Sequence, residues 1–324
     1  MILHRMVLAY AGFVAGLYAA PAFAQLGGAE PEWYLRTSDG CRIFVQEYGS
    51  GRDTVVVLHG GWGAEHSYVV GAFSGLDRQF HFVFYDQRGS LRSPCADSLV
   101  SVAKHVDDLD ALRAALRLER VTLAAHSMGT ILAMEYLTRF PARPRGIVLL
   151  GALPPRTPVT AADSADVTRQ SDSVKAFFGR SAVAAQLHAN GFDRDSSTLT
   201  AKERTSVWRI RFAAVNTFHV ERWRSVKGGQ VFYNPAAAEA AARTMPSAYD
   251  FVPALLRHPC PVTIINGDHD YVDMGARQHA AWTAGAERAR LVVLRGAGHM
   301  AWIDEPERFR ASLRAALTSA ARCR

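Results

Sequence analysis

The residues in this 324-residue sequence that suit chemistry are a serine, two aspartates and a histidine, spread over three separate turns of the chain. Ala125-His126-Ser127-Met128-Gly129 stands directly after a short apolar run and directly before a helical pattern. A small-x-Ser-x-Gly turn between strand and helix puts the serine on a sharp bend. Its Oγ then stands clear and the following N–H faces a substrate. Ala125 is one methyl larger than the glycine usual at the start of such a turn. A hydroxyl nucleophile needs a base, and Gly296-Ala297-Gly298-His299 brings one after the last apolar run. The base needs a carboxylate to fix its tautomer and to stabilise the imidazolium. Asn266-Gly267-Asp268-His269-Asp270 closes the preceding run and offers Asp268 and Asp270.

Acyl transfer also needs donors for a developing oxyanion. His59-Gly60-Gly61-Trp62-Gly63 supplies flexible backbone after an early apolar run. The expected donors are the N–H groups of Gly61 and Met128, with Trp62 lining the pocket beside them. His59 is read as a tie between backbone groups. His66, His105, His126, His219, His269 and His279 lack the loop context of a base. No His/Cys/Asp cluster has metal-ligand spacing, so no metal is expected. The phosphate-loop pattern G-x-x-x-x-G-K-[ST] is absent, so no nucleotide cofactor is expected either.

These turns need elements to hold them. Trp33 to Tyr48 reads as a hairpin about Asp39-Gly40. Apolar runs follow at Thr54–Leu58, Phe80–Tyr85, Val121–Ala125, Gly146–Leu150, Val262–Ile265 and Leu291–Leu294. Runs without alternation are those of parallel strands buried on both faces. Between them Val106, Leu109, Leu112 and Leu116 recur at helical spacing. A helix continues from Ser127 to Phe140 and stops before Pro141. Pro306 opens a last helix carrying Phe309, Leu313 and Leu317. Strand–helix alternation of this kind predicts an α/β fold with a mostly parallel sheet. From about Arg156 to Leu256 the alternation stops and helical patches such as Ala237–Ala242 take over. An insertion at the C-terminal edge of a strand is placed to form a lid.

Composition sets the compartment and excludes some partners. A hydrophobic fraction of 49% with 21% charged residues is that of a globular enzyme, not a disordered chain. The formal charge of +7 comes from scattered Arg and Lys without basic–aromatic interleaving, so no nucleic-acid partner is expected. A cation at the N-terminus, the apolar stretch Met6–Ala20 and Ala22-Phe23-Ala24 read as a signal peptide cleaved after Ala24. The mature protein is then periplasmic or secreted, without stable membrane insertion. In such a compartment Cys41, Cys95, Cys260 and Cys323 are expected to form two disulfides. The hairpin's second strand begins near where the Asp86 strand ends, which pairs Cys41 with Cys95. Cys260 enters its strand from the opposite edge, where the final helix finishes, which pairs it with Cys323.

The Ser…Asp…His order is that of the α/β-hydrolases. With Asp86-Gln87-Arg88-Gly89-Ser90 and His59–Gly63, the sequence resembles the proline iminopeptidase branch over nearly the whole mature chain. The resemblance implies an eight-stranded sheet, an inserted helical cap and release of N-terminal residues from peptides. With the signal peptide and the insertion read above, the expected division is 1–24 signal peptide, 25–155 core, 156–256 cap or lid, and 257–324 core. The family's G-x-x-D spacing assigns the orienting acid to Asp270 and leaves Asp268 to the turn. This chain departs from the branch at Trp62, where proline is usual, and at Met128, where an aromatic residue is usual. The branch's cap motif of two tryptophans and a glutamate, which holds a substrate ammonium, has only Phe218-His219-Val220-Glu221-Arg222-Trp223 as a counterpart. Glu221 is its first candidate acid, ahead of Glu203 and Glu239. The Ser-Met elbow is similar to those of esterases. The leading expectation is an aminopeptidase acting on small peptides, and the alternative is a carboxylesterase or lactonase acting on small esters.

Overall fold

The computed structural model describes residues 31–157, 161–228 and 232–323. The expected signal peptide, 1–24, lies outside the described residues. Eight strands form one sheet: β1 (Glu32–Arg36), β2 (Arg42–Tyr48), β3 (Asp53–Leu58), β4 (Phe80–Tyr85), β5 (Val121–His126), β6 (Pro144–Leu150), β7 (Val262–Gly267) and β8 (Ala289–Leu294). Their spatial order is β1-β2-β4-β3-β5-β6-β7-β8. β1 and β2 form the antiparallel hairpin, β2 pairs antiparallel with β4, and every later pairing is parallel. The helices in chain order are α1 (Ser67–Val70), α2 (Val102–Ala115), α3 (Met128–Arg139), α4 (Ala161–Phe178), α5 (Ser181–Ala189), α6 (Ala201–Asn216), α7 (Pro235–Arg243), α8 (Val252–Arg257), α9 (Arg277–Thr283), α10 (Ala301–Asp304) and α11 (Pro306–Ala321).

The apolar runs become strands because both sheet faces are covered. Along a strand alternate side chains point to opposite faces. Val56, Leu58, Leu123 and Ala125 accordingly pack with residues of α2, α3 and α8 in one core. Val55, Val57, Ala124 and Val148 pack with Phe309, Leu313 and Leu317 of α11 in the other. β8 departs from the run-based expectation. It is the sheet's edge, and Leu291, Val292 and Val293 are only half-buried there.

Parallel strands deliver their C-terminal ends to one edge of the sheet, where α/β sheets bind ligands. The loops after β3, β5, β7 and β8 therefore gather residues separated by up to 240 positions. Between β6 and β7 the chain runs through α4 to α8, and an isolated antiparallel bridge joins Arg156 to Asp250 across its two ends. Within this stretch α6 opens with a capping box, in which Thr200 and Glu203 satisfy each other's backbone donors.

Both expected cysteine pairings are present. Cys41–Cys95 has a Cα separation of 5.0 Å and Cys260–Cys323 one of 5.7 Å. Beside the first, the buried Arg88 forks onto Asp108 at 2.7 and 2.5 Å and reaches Asp39 of the hairpin turn at 3.0 Å. Arg88 thus ties hairpin to α2. Burying a guanidinium is tolerable only with such full pairing.

Candidate active site

Ser127 sits between β5 and α3 with φ +54° and ψ −127°. A side chain in that region costs about 1–3 kcal/mol and persists only where its surroundings enforce it. Here the Ser127 N–H donates to the Leu150 carbonyl at 3.0 Å, and the Ser127 carbonyl accepts from the Thr130 N–H at 2.8 Å and its hydroxyl at 2.6 Å. Gly129 is glycine because a Cβ would lie 2.6 Å from the His59 carbonyl oxygen. Ala125 carries its extra methyl at no cost, because it points into the core beneath the turn.

His299 follows β8, and its Nδ1 lies 2.9 and 3.0 Å from the two carboxylate oxygens of Asp270. Both residues are buried. With Nδ1–H donated to the carboxylate, Nε2 is left as the proton acceptor. Asp268 takes the other task. Its Oδ1 accepts from the N–H groups of Gly296 and Ala297 at 2.9 and 3.3 Å, binding the β7 turn to the loop of His299. A carboxylate that sequence reasoning missed completes this loop. Asp304 accepts from the Phe218, His219 and Gly298 N–H groups at 2.8, 2.9 and 2.9 Å. Burial nevertheless raises its pKa above the ordinary carboxylate value.

The loop after β3 closes over the serine. A Cβ on Gly60 would lie 2.5 Å from the Ser127 Cβ. His59 holds the loop from behind: its Nδ1 bonds the Gly60 carbonyl at 3.0 Å, and its Nε2 accepts from the Gln87 N–H at 3.0 Å. Burial keeps this imidazole neutral, with its pKa below the usual value. Tyr68 of α1 holds the loop from the front. Its Oη accepts from the Gly60 N–H at 2.6 Å and lies 2.7 Å from His126 Nδ1. The hydroxyl proton therefore goes to His126 Nδ1, which leaves the proton of His126 on Nε2, 3.2 Å from the His299 carbonyl. Burial first, and then the neighbouring His299, hold the His126 pKa well below its ordinary value. Neutral His126 thus connects the Gly60 loop to the backbone of His299.

Ser127, His299, Gly60, Gly61 and Tyr68 line one cavity of about 170 Å³. Phe212, Asn216, Gly228 and Tyr271 are also in its wall. Met128 begins α3, so its N–H is among the helix donors with no intrahelical acceptor. Of the expected site residues, Met128, Trp62 and Glu221 are not among those lining this cavity. Trp62 turns away into the core, where its indole stacks on His105 at 4.9 Å, because the chain reverses at Gly61–Gly63. Glu221 is 56% exposed and bonds His219 at 3.0 Å. Glu203 is spent on the α6 cap and Arg194, and Glu239 is exposed beside Arg243. Among the described residues no carboxylate lines the cavity. Phe212 and Asn216, with Trp208, follow i, i+4, i+8 spacing on α6, a periodic signal that was legible in the sequence; Tyr68 and Tyr271 had none.

A buried triplet, Glu65, His66 and Asp86, has ligand atoms close enough for a cation. Arg92 already fills that role, contacting Asp86 at 2.6 Å and Glu65 at 3.1 Å.

Comparison with known proteins agrees with this architecture. Residues 53–306 match the family model described as alpha/beta hydrolase fold. A proline iminopeptidase of Levilactobacillus brevis is 29% identical over 277 residues, covering 80% of this chain and 86% of that protein. A proline iminopeptidase-related protein from Thermus thermophilus superposes with a TM-score of 0.61 at 25% identity, over 92% of this chain and 100% of that one. An esterase from Exiguobacterium antarcticum superposes with a TM-score of 0.64 at 19% identity, over 88% and 99% of the two chains. With an eight-stranded, mostly parallel sheet, a strained strand-to-helix serine and a family match over most of its length, this chain belongs to the α/β-hydrolase fold family and is a hydrolase resembling its proline iminopeptidase branch.

Proposed function

We propose that this hydrolase works through an acyl-enzyme on Ser127. The observation that carries the reading is a strained serine sharing one cavity with a histidine whose far nitrogen is bonded to a buried carboxylate. Ser127 Oγ attacks the substrate carbonyl while His299 Nε2 takes its proton. The Asp270 carboxylate stabilises the imidazolium that forms. The Gly61 and Met128 N–H groups receive the oxyanion. His299 then gives the proton to the leaving group, and water, activated by the same nitrogen, releases the acid. Residues 156–256 act as the helical cap that closes this cavity, and two disulfides support export of the mature chain. Ser127→Ala is expected to abolish turnover and labelling by a fluorophosphonate, with the Tm retained; a labelled Ser127→Ala protein would overturn the assignment.

The uncharged wall of the cavity favours a small ester. A substrate ammonium buried there would need a carboxylate facing it, and none of the described lining residues supplies one. The relatedness to proline iminopeptidases favours the second reading, an aminopeptidase. Prolyl and alanyl arylamides, their N-blocked forms and a short-chain aryl ester separate the two. Ester turnover without arylamide turnover is expected; arylamide cleavage that is lost on blocking the amine would establish the aminopeptidase.

A further inference from the structure

A second depression, of about 540 Å³, lies beside the catalytic cavity and is lined by Trp208, Arg209, Arg224, Val226, Lys227 and Gly228, with Thr205 at its end. Gly228 also lines the cavity of Ser127, so the two spaces adjoin. They are joined along α6 as well. Trp208, 40% exposed, faces the groove and stacks on Phe212 with ring centroids 4.9 Å apart, and Phe212 faces the catalytic cavity. One helix face thus runs from the groove to the serine, about one turn or 6 Å along the axis.

The charge of the groove is one-sided. Three of its side chains are cations and none is a carboxylate. Arg209 is fixed by hydrogen bonds to the Val226 and Arg224 carbonyls, with its Nε 2.9 Å from the former. Arg224 sits over the Trp223 ring at 4.1 Å and donates to Asn190 at 2.6 Å, so its fork is held but not neutralised. Lys227 is exposed, and among the described residues it has no ionic partner. Unneutralised cations pre-positioned on aromatic and backbone supports suit an anion, and a carboxylate matches a guanidinium fork.

We propose that this groove is a substrate subsite for a carboxylate, so that the hydrolase acts on carbonyl substrates whose far end is anionic and whose middle lies against Trp208 and Phe212. The inference rests on the acyl-enzyme reading above and narrows its substrate class. The carboxylate sits in the Arg224–Lys227 field while the scissile carbonyl lies at Ser127, several bonds away.

The test compares charged esters with neutral counterparts on each side of the scissile bond. On the acyl side, the mono-4-nitrophenyl ester of adipic acid is set against 4-nitrophenyl hexanoate. On the leaving-group side, the butyrate ester of 4-(carboxyethyl)phenol is set against that of 4-propylphenol. The expected result is a higher kcat/KM for the charged member of one pair, carried in KM and weakened by salt. In Arg224→Gln/Lys227→Gln that charged-to-neutral ratio falls about tenfold. Lys227→Glu, which alters only an exposed side chain, lowers the same ratio in a protein whose fold is undisturbed. No charged preference in either pair, or a preference that survives both variants, overturns the subsite. Failure of the hydrolase reading is separate: it would show as fluorophosphonate labelling and neutral-ester turnover that do not depend on Ser127.

Discussion

Tyr68, in the wall of the Ser127 cavity, shows how much of such a site depends on residues that hold others in place. Its hydroxyl takes the Gly60 N–H and gives its own proton to His126, fixing the loop before Gly61, the proposed oxyanion donor, relative to the loop of His299. Loss of that hydroxyl leaves Gly60 N–H and His126 Nδ1 unpaired and lets the donor drift. Removing an oxyanion donor outright costs about 100- to 1,000-fold in kcat. Loosening one by Tyr68→Phe is expected to cost about tenfold in kcat with KM changed less, measured by steady-state kinetics on an aryl ester. Equal kcat in the two proteins would reduce Tyr68 to a packing residue. The same residue-level reasoning explains the two aspartates of the β7 turn. Asp270 faces His299, whereas Asp268 turns to the Gly296 and Ala297 N–H groups and to its neighbour His269.

At the scale of elements, the Asp304 carboxylate is one of the ties between the loop after β8 and the segment after α6. Asp304 binds Phe218 and His219 on one side and Gly298 on the other, and the Met300 N–H donates to the Asn216 carbonyl at 2.7 Å. The loop carrying His299 is thereby fastened to the helix that walls the cavity. Asp304→Ala strands three donors, that of Gly298 buried and those of Phe218 and His219 part-buried, and is expected to destabilise the protein by about 2–4 kcal/mol, read as a lowered midpoint in urea unfolding. Because the stranded N–H of Gly298 adjoins His299, kcat should fall in the variant even where it remains folded. A variant with wild-type kcat would show that α6 and the His299 loop hold their places independently.

For the whole molecule, acid and reducing agents are the two expected weaknesses. His105 is buried with neither ring nitrogen hydrogen-bonded among the described residues, and burial, with Arg88 and His59 adding to it, lowers its pKa to about 3. His258 is lowered to about 4 in the same direction, and His59 and His126 are lowered too. In the unfolded chain these imidazoles titrate near the ordinary value of about 6.5. Between the two values the unfolded state binds more protons, so stability is full above about pH 6.5 and is lost as pH falls toward the folded values. His105→Leu is expected to flatten that loss in urea midpoints measured from pH 7 to pH 4; an unchanged slope would clear His105 of the effect. The disulfides each close a loop of more than fifty residues, and opening either by Cys→Ser pairs should cost about 4 kcal/mol. Peptide mapping under non-reducing conditions should recover Cys41–Cys95 and Cys260–Cys323; four free thiols would contradict both.

Much of this was present in local sequence, because local rules govern it. Apolar runs without alternation mark buried parallel strands, and Asp39-Gly40 marks a hairpin turn. Ser127 on a small-x-Ser-x-Gly turn, and Gly298-His299 and Gly267-x-x-Asp270 after late strands, are each short patterns with a steric or hydrogen-bonding cause. Strand order also followed closely enough to pair the cysteines. The fate of a side chain that must choose between neighbours distant in sequence was not legible there. Trp62 sits next to Gly61 in the chain, yet its ring goes to His105 of α2 and leaves the cavity. Glu221 falls where a substrate-binding acid was expected, but the short helix that carries it turns it to solvent and His219. Tyr68, Tyr271 and Asp304 join the site only because parallel strands deliver their ends to one edge of the sheet and α6 folds back over it. Sequence alone thus determined the strands, the turns and the kinds of reactive group, since each depends on a few adjacent residues. Tertiary structure decided which polar groups share a low-dielectric cavity and which are spent on backbone, because burial and hydrogen-bond partners are set by segments that only the fold brings together.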